Sequence, residues 1–284
     1  MNREFILRIA CDDRPGIVAR VSNYLAASGC NILDAHQFDD RSNARFFMRV
    51  VFDPGGQPFE TLRDGFGPIA SECGMDWVLR DPSVPPKVLI MVSRFDHCLV
   101  DLLYRKRIGE IDMDIVAIVS NHPPADDQPR IIPDIPFHYL PLTEATKAEQ
   151  ESRVREIVEQ TGAELVVLAR YMQILSDEMA QFLAGRCINI HHSFLPGFKG
   201  AKPYHQAYER GVKMIGATSH YVTADLDEGP IIAQDVEAIT HSARPDDLVA
   251  KGRDVERRVL ARAVKMHLEG RVFMNGQRTV VFED

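Results

Sequence analysis

The stretch CINIHHSFLPGFKG, residues 187–200, places side chains that can do chemistry directly after a short apolar run. If that run is a strand, Asn189 and His191 lie two residues apart at its end, and side-chain alternation turns both to the same face. His192 then points elsewhere. Three interpretations are open for the stretch: a metal site, a serine nucleophile, or a site that needs an Asn and a His side by side.

The first two interpretations lack the residues that usually accompany them. Adjacent histidines on a strand do not converge on one ion, and neither an HExxH sequence nor a carboxylate cluster accompanies them. Ser193 lacks the GxSxG sequence that places a serine nucleophile on a sharp turn. We therefore predict neither a metal site nor a nucleophilic serine.

An acidic loop further along the chain is the next feature with chemical potential. MIGATSHYV, from residue 214, is typical of a strand, and DLDEGP is typical of a tight loop before the next strand, IIAQDV. A carboxylate of Asp225, Asp227 or Glu228 near the same sheet edge would act as a base beside His191. A solvated acidic turn is the alternative, and the residue types alone leave both open.

The elements that position these residues are predicted from apolar runs after residue 86. KVLIMVS, MDIVAIVSN and AELVVLAR are continuous apolar runs separated by helical segments, a pattern typical of parallel strands buried on both faces. We predict an open, mostly parallel α/β sheet with crossover helices over residues 87–235. ERRVLARAVKMHLEG then predicts a helix, and RVFMNGQRTVVF predicts a terminal hairpin. Ligands of such a sheet bind beyond the C-terminal ends of its strands, where CINI ends.

The first eighty residues have the rhythm of a β-α-β-β-α-β, ferredoxin-like unit. EFILRIAC predicts a strand, and DRPGIVARVSNYLAASG predicts a helix that Asp13 caps. NILDAHQFDD and ARFFMRVVFD predict a hairpin, and a helix over residues 58–73 and the strand MDWVLR complete the unit. DPSVPP has three prolines, so we predict domains at residues 1–80 and 87–284, joined by a linker at residues 81–86.

The composition argues against several classes of protein. A formal net charge of -8 is unsuited to nonspecific nucleic-acid binding, because neutralising phosphates needs a basic surface. No apolar stretch approaches the ~20 residues that span a bilayer, and the first residues have too short an apolar run for a signal peptide. Five scattered cysteines without CxxC spacing predict reduced thiols. We expect a cytoplasmic protein with neither a nucleic-acid nor a membrane partner.

The motifs of the second half resemble those of folate-dependent formyltransferases. NIHHSFLP from residue 189, SHYV from residue 219 and LDEGP from residue 226 agree with that family's signature in order and spacing. YMQILS, from residue 171, resembles the family's folate-pocket segment, where main-chain groups bind the pterin. The resemblance implies folate contacts from Tyr171, Met172, Gln173, Ile174, Leu175, His192 and His220.

The same resemblance implies roles for Asn189, His191 and Asp227. Asn189 would donate a hydrogen bond to the formyl oxygen, and protonated His191 would be a second donor as the oxyanion develops. Asp227, which the LDxGP position selects over Asp225, would favour the imidazolium and accept a proton from the attacking water. No metal or other cofactor is implied. His220 would orient Asp227 or His191, or would be a core histidine.

Residues 1–80, with DRPGIVARVS and GCNI, resemble an ACT regulatory domain. An ACT domain ahead of a formyltransferase-like domain resembles the formyltetrahydrofolate deformylase family. This implies hydrolysis of 10-formyltetrahydrofolate to formate and tetrahydrofolate, a reaction of one-carbon metabolism linked to purine biosynthesis. It also implies a homo-oligomer through the ACT domains and an amino-acid effector, methionine or glycine, bound at Asp13, Gly16 and Asn31.

Three departures from the glycinamide ribonucleotide transformylases bear on the acceptor. VSRFDHCLVDLL, from residue 92, has no glycine where those enzymes have a Gly-rich phosphate loop, so water becomes the expected acceptor. His97 lies in this altered segment. His192 stands where the transformylases usually have proline, and a polar group there would help to position water. Gln173 replaces a basic residue of the pterin segment.

Three other functions compete with hydrolysis. The nearest is a formyltransferase that delivers the formyl group to a small amine. A noncatalytic folate-binding or amino-acid-sensing protein is the second, although it would not need Asn189, His191 and Asp227 together. Metal-dependent hydrolysis is the third.

Overall fold

The computed structural model describes residues 3–124, 134–197 and 203–283. Within it the chain forms two compact units, each of which takes in a piece of the C-terminal region. The first unit comprises Met1–Pro85, Glu269–Asn275 and Val280–Asp284, and the second comprises Pro86–Leu268 and Gly276–Thr279.

The first unit is an antiparallel four-stranded sheet with two helices. Its elements are β1 (Phe5–Asp12), α1 (Ile17–Ala27), β2 (Asn31–Asp40), β3 (Arg45–Asp53), α2 (Phe59–Cys73) and β4 (Asp76–Arg80). The strands are ordered β2-β3-β1-β4, which confirms the predicted ferredoxin-like arrangement. Ile17, Val21 and Leu25 recur at helical spacing along α1 and are buried in the core of this unit.

The start of α1 differs from the prediction. We expected Asp13 to cap this helix, whereas Gly16 occupies the N-cap position with φ of 92° and no side chain caps it. Asp13 is exposed, and its backbone N–H donates to the carbonyl oxygen of Ala44 at 2.8 Å. A positive φ strains any residue that has a Cβ, so the N-cap of this turn favours glycine over a capping side chain.

The second unit is built on a seven-stranded sheet. Its strands are β5 (Lys87–Val92), β6 (Asp114–Ser120), β7 (Phe137–Tyr139), β8 (Leu165–Leu168), β9 (Cys187–His191), β10 (Met214–Tyr221) and β11 (Ile231–Ala238). They are ordered β11-β10-β9-β8-β5-β6-β7. The pairings among β5, β6, β7, β8 and β9 are all parallel, whereas β10 is antiparallel to both of its neighbours, β9 and β11. The mostly parallel sheet is thereby confirmed.

Helices cover this sheet. They are α3 (His97–Arg107), α4 (Lys147–Thr161), α5 (Asp177–Phe182), α6 (Pro203–Glu209) and α7 (Pro245–Leu268). Every residue of β8 is buried, as are all but the first residue of β5, because a parallel sheet between helices has no solvent face. None of the described helices is long and apolar enough to cross a membrane.

The C-terminal region contains a longer helix than the sequence predicted and the expected hairpin. α7 begins at Pro245, where Asp246 and Asp247 in its first turn complement the helix dipole. The hairpin consists of β12 (Val272–Asn275) and β13 (Arg278–Val281). Phe273 of β12 and Phe282, which directly follows β13, pack with Phe47 of β3 inside the first unit. The domain boundaries drawn from the sequence stay a prediction.

Candidate active site

Two neighbouring strands bring three polar side chains to one face of the sheet. β9 and β10 run antiparallel, with Asn189 opposite His220 and His191 opposite Thr218. Residues directly opposite each other in such a pair point to the same face, as do alternate residues along one strand. Asn189, His191 and His220 therefore share a face, at the end of β9 where a parallel sheet binds its ligands.

The loop after β10 carries Asp227 to the same place. Its Oδ1 lies 3.2 Å from Nδ1 of His191 and 3.8 Å from Nε2 of His220. Asp227 has a left-handed backbone, with φ of 57°. At Gly229 a Cβ would lie 1.7 Å from the carbonyl oxygen of Tyr221. The tight packing of this glycine is the physical reason for the LDEGP sequence, because no side chain fits there.

The hydrogen bonds of His220 fix the orientation of Asn189. Nδ1 of His220 lies 2.9 Å from the carbonyl oxygen of Tyr221, which only accepts, so Nδ1 carries the hydrogen. Burial lowers the pKa of His220 against the opposing effects of Tyr221 and Asp227, and the ring is therefore neutral. Its Nε2 is then an acceptor for the Asn189 amide nitrogen, 3.2 Å away. The second N–H of that amide remains to donate elsewhere.

The two ring nitrogens of His191 differ: Nδ1 faces Asp227, and Nε2 has no partner among the described residues. An ionised carboxylate only accepts, so Nδ1 of His191 carries a hydrogen toward Asp227. Nε2 is buried and has no hydrogen-bond partner among the residues that the structure describes. When protonated it is a charge-assisted donor, and when unprotonated it is an acceptor. This atom can therefore change role during a reaction.

Asp227 is held as a carboxylate. Burial raises its pKa, but the hydrogen bond and charge of His191 lower it more, and the net pKa lies below the ordinary value. Its side chain is only 11% exposed. A shielded carboxylate next to an imidazole stabilises the imidazolium form.

A cavity of about 340 Å³ opens at these side chains. Residues 171–175 line one part of it and residues 222–227 another. Met172, Ile174 and Leu226 are apolar, line the cavity, and are each at least half exposed. Apolar side chains around a cavity are typical of a site that a ligand covers. All predicted catalytic and folate-binding residues line this cavity, namely Tyr171, Met172, Gln173, Ile174, Leu175, Asn189, His191, His192, His220 and Asp227.

The backbone of residues 173–175 is open to a ligand. The N–H groups on either side of it are occupied, that of Met172 by Ser93 Oγ at 3.0 Å and that of Ser176 by Glu151 at 2.8 Å. Within the described ranges, no hydrogen bond uses the backbone groups of residues 173–175. Unpaired backbone N–H and C=O groups beside a cavity provide donors and acceptors for a heterocycle.

His192 and Ser193 have different surroundings from His191. Burial, assisted by the positive charge of Arg170, lowers the pKa of His192 to about 3, so this ring is neutral. It lines the cavity, 5.2 Å from the ring of His191 between centroids. The Ser193 hydroxyl donates to the carbonyl oxygen of Gly197 at 2.8 Å. That bond gives the serine a structural role.

A buried carboxylate beyond the cavity was missed by the sequence reasoning. Glu256, on α7, is 1% exposed and contacts Nε2 of His97 at 2.8 Å, the hydroxyl of Tyr204 at 2.6 Å and Nε of Arg170 at 3.3 Å. Burial raises its pKa, but these partners lower it below the ordinary value. The available signal was a charged residue on the apolar stripe of a helix, which requires buried partners. His97 thus pairs with Glu256 and is not among the residues that line the cavity.

One group in the described part of the chain has metal-ligand spacing, formed by His97, Cys98 and Glu256. The guanidinium of Arg170 contacts the same carboxylate and would repel a cation. Burial raises the pKa of the Cys98 thiol well above its usual range, which disfavours the thiolate that a metal needs. These side chains fit a structural ion pair better than a metal centre.

The residues predicted to bind an effector lie in the first unit. Asp13 and Gly16 are exposed in the turn between β1 and α1, and Asn31 is exposed as the first residue of β2. β3 separates β1 from β2 in the sheet. All three residues are accessible to a ligand from solvent.

Comparison with known proteins adds the family. The family described as ACT domain matches residues 5–62, and the family described as Formyl transferase matches residues 86–264. A formyltetrahydrofolate deformylase from Corynebacterium sp. (strain P-1) is 50% identical over 97% of each chain. One from Escherichia coli (strain K12) is 39% identical, again over 97% of each chain.

Solved structures agree with these relatives. The formyltetrahydrofolate deformylase from Burkholderia mallei has a TM-score of 0.94 and 55% identity, over 99% of this chain and 100% of that one. The glycinamide ribonucleotide transformylase 1 from Symbiobacterium toebii has a TM-score of 0.64 and 28% identity, over 70% of this chain and 95% of that one. Similarity to the deformylase extends over both units.

Proposed function

This chain belongs to the formyltetrahydrofolate deformylase family and hydrolyses 10-formyltetrahydrofolate to formate and tetrahydrofolate, and we propose that Asn189, His191 and Asp227 carry out the reaction. The formyl group on N10 is an amide-type carbonyl, so attack by water creates a tetrahedral oxyanion and a proton that must be moved. One arrangement supports the proposal: Nδ1 of His191 faces Asp227 at 3.2 Å, while its buried Nε2 has no hydrogen-bond partner in the described part of the chain.

Asn189 and His191 stabilise the oxyanion in this mechanism. The Asn189 N–H that is not used by His220 donates to the formyl oxygen. His191, as an imidazolium, donates from Nε2, and its charge-assisted bond strengthens as negative charge develops on that oxygen. Both donors are fixed beforehand, one by His220 and one by Asp227, so little reorganisation is needed when the charge appears.

Asp227 accepts the proton of the attacking water. Its lowered pKa makes it a weak base in the free enzyme. A folate that covers the cavity removes water from this carboxylate, which raises its pKa toward the range in which it accepts a proton. The water oxygen then bonds to the formyl carbon, the bond from that carbon to N10 breaks, and the proton passes from the His191–Asp227 pair to N10.

The folate ring binds the segment over residues 171–175 in this proposal. The open backbone groups of residues 173–175 hydrogen-bond the heterocycle, and Met172 and Ile174 cover its faces. Gln173 is neutral, so it contributes no charge to this contact. Neutral His192 lines the same cavity and helps to place the water.

The reaction uses the folate substrate and, we propose, no metal or other cofactor. Nδ1 of His191 and both ring nitrogens of His220 already have partners, and the one group with metal-ligand spacing among the described residues, His97, Cys98 and Glu256, does not line the cavity. Undiminished activity in excess chelator is the expected result. Loss of activity that added Zn²⁺ restores would overturn this part of the proposal.

The ACT domain takes a small-molecule effector, for which we propose methionine or glycine at Asp13, Gly16 and Asn31. We also propose a homo-oligomer formed through the ACT domains. Calorimetry that detects no heat with either amino acid would count against the effector. The five cysteines are all free thiols, four of them buried, which supports the cytoplasmic location that we propose.

One assay tests the reaction together with its main residue. Purified protein should release formate from 10-formyltetrahydrofolate without any added amine, and Asn189→Ala should reduce kcat by about 10²–10³-fold, the usual loss of one oxyanion donor. If turnover required an added amine and released no formate, the protein would be a formyltransferase. If kcat of Asn189→Ala fell by less than about tenfold, Asn189 would not be an oxyanion donor.

A further inference from the structure

The segment that we assign to the folate ring is held at both ends by adjacent residues of α4. Gln150 donates from Nε2 to the hydroxyl of Tyr171 at 2.7 Å. Glu151 accepts from the N–H of Ser176 at 2.8 Å through one carboxylate oxygen and from its hydroxyl through the other. One turn of one helix thereby fixes the beginning and the end of residues 171–176.

A third contact comes from the end of β5. Ser93, which is 6% exposed, accepts the N–H of Met172 at 3.0 Å. Its own hydroxyl hydrogen goes to Oδ1 of Asn121 at 2.7 Å, and its N–H donates to the carbonyl oxygen of Arg170 at 3.2 Å. The hydroxyl and the N–H of the serine therefore both have partners, and the serine ties the segment to the C-terminal ends of β5 and β6.

These three contacts surround the open backbone without touching the cavity. Ser93, Gln150 and Glu151 are absent from the residues that line it, whereas residues 171–175 all line it. Gln150 and Tyr171 are each 5% exposed, so breaking their bond leaves a buried polar group without a partner. These three side chains therefore do not contact a ligand in the cavity directly, and the bonds that they make reach it through the segment.

We propose that Ser93, Gln150 and Glu151 are positioning residues that hold residues 173–175 in the geometry required to bind the folate ring. The proposal rests on the proposed function, because it takes that segment as the binding site of the ring. A backbone that is already ordered loses little entropy when its N–H and C=O groups bind a ligand. Three fixed points over six residues provide that order.

The three residues should affect binding more than chemistry. The ring is remote from the formyl carbon, so a misplaced segment weakens ground-state and transition-state binding alike, which raises KM and leaves kcat nearly unchanged. Glu151 is charged, and hydrogen bonds to charged groups are the stronger ones. Glu151→Gln is expected to raise KM about tenfold, and Gln150→Leu about fivefold, with kcat within about threefold of wild type.

Glu149→Gln is the matched control. Glu149 precedes Gln150 on α4 and is exposed, so its substitution removes the same charge without touching the segment. It should leave both constants unchanged. Glu151→Gln keeps the size of the side chain, and it tests the proposal even if Gln150→Leu does not fold.

Hydrogen exchange separates this proposal from the proposed function. The amide hydrogens of Met172 and Ser176 should exchange faster in Glu151→Gln than in wild type or Glu149→Gln, without any folate present. Faster exchange together with a raised KM supports the positioning role. Unchanged exchange, or an unchanged KM in both variants, overturns it. If wild type itself shows no protection of this segment by tetrahydrofolate, the assignment of the folate site fails, whatever the variants do.

Discussion

Asp227 has two tasks at one carboxylate, because it pairs with Nδ1 of His191 and, in the proposed mechanism, takes the proton of the attacking water. Asp227→Asn keeps the shape of the side chain and removes both the charge and the base. We expect kcat to fall by about 10²–10⁴-fold, measured as formate release at saturating substrate. Asp225→Asn is the comparison, since Asp225 is exposed on the same loop. Equal losses in the two variants would mean that the loop, not the carboxylate of Asp227, matters.

A second prediction, on the pH dependence of the rate, follows from the lowered pKa of Asp227. An acid that must be ionised to act loses activity as pH falls through its pKa, so the acid limb of kcat/KM should lie below 3.8, the ordinary value. Folate binding removes water from the carboxylate, and the acid limb of kcat should therefore lie at higher pH than that of kcat/KM. Rate profiles after brief exposure to acid, with recovery checked at pH 7, measure both limbs. If the acid limb of kcat lay at lower pH than that of kcat/KM, the proposed rise in the pKa of Asp227 on folate binding would be contradicted.

The role of His220 illustrates what one sequence leaves open at this scale. Its position before the acidic loop suggested that it orients Asp227 or His191, or that it is a core residue. The structure has it bonded to Asn189, because the antiparallel register of β9 and β10 places these two residues opposite each other. Register between strands thirty residues apart depends on the whole sheet, and no local pattern specifies it.

At the scale of elements, α7 contributes a buried charge to the second unit. Glu256→Ala removes the partner of Arg170, whose own side chain is 10% exposed, and leaves that charge uncompensated. We expect the free energy of unfolding to fall by about 3–5 kcal/mol, measured by denaturant titration at pH 7. Asp254→Ala on the same helix removes a surface carboxylate and should cost less than about 1 kcal/mol. If Glu256→Ala and Asp254→Ala lost similar free energies of unfolding, the burial of Glu256 beside Arg170 would not contribute the expected stability.

The same pair has a defined dependence on pH. The folded-state pKa of Glu256 is lowered, so its stabilising effect is complete above the unfolded value near 4.5 and is lost as pH falls through the folded value. The stability difference between wild type and Glu256→Gln should therefore narrow below pH 4.5. Near neutral pH, the ionisation of Glu256 should cause no further change in this stability difference.

The sequence predicted the elements better than their contacts. The apolar runs of β5, β6 and β8 could be recognised in the sequence because strands buried on both faces need them, and NIHHSFLP and LDEGP marked the segments that carry the proposed catalytic residues. The position of Glu256 on the apolar stripe of α7 signalled a buried charge, but its partners could not be predicted from the sequence, since His97, Arg170 and Tyr204 meet it only through tertiary packing. Gly252 shows why: a Cβ there would lie 2.1 Å from the ring of Tyr204, so this glycine makes room for a residue nearly fifty positions away.

The prediction that Asp13 caps α1 was wrong for a local reason. Gly16 occupies the N-cap, and its positive φ favours glycine over a residue with a capping side chain.

At the scale of the whole molecule, the chain returns to the first unit at its C-terminus. Phe273 and Phe282 are 4% and 8% exposed, and they pack with Phe47 of β3. The predicted catalytic domain, residues 87–284, would carry both phenylalanines without the sheet that buries them. Aromatic side chains that lose such contacts form an exposed apolar patch, which promotes association.

Truncation tests this organisation. A chain of residues 86–284 should bind a hydrophobic dye and aggregate, whereas a chain of residues 86–268 lacks Phe273 and Phe282 and should do so less. Phe273→Ser/Phe282→Ser in the longer chain should reduce dye binding toward that of the shorter one, because it removes the apolar surface and keeps the length. Dye fluorescence and sedimentation at matched concentrations provide the measurement. If the longer chain behaves as well as the shorter one, the terminal hairpin does not depend on the first unit, and the boundary predicted from the sequence is the better description of the catalytic domain.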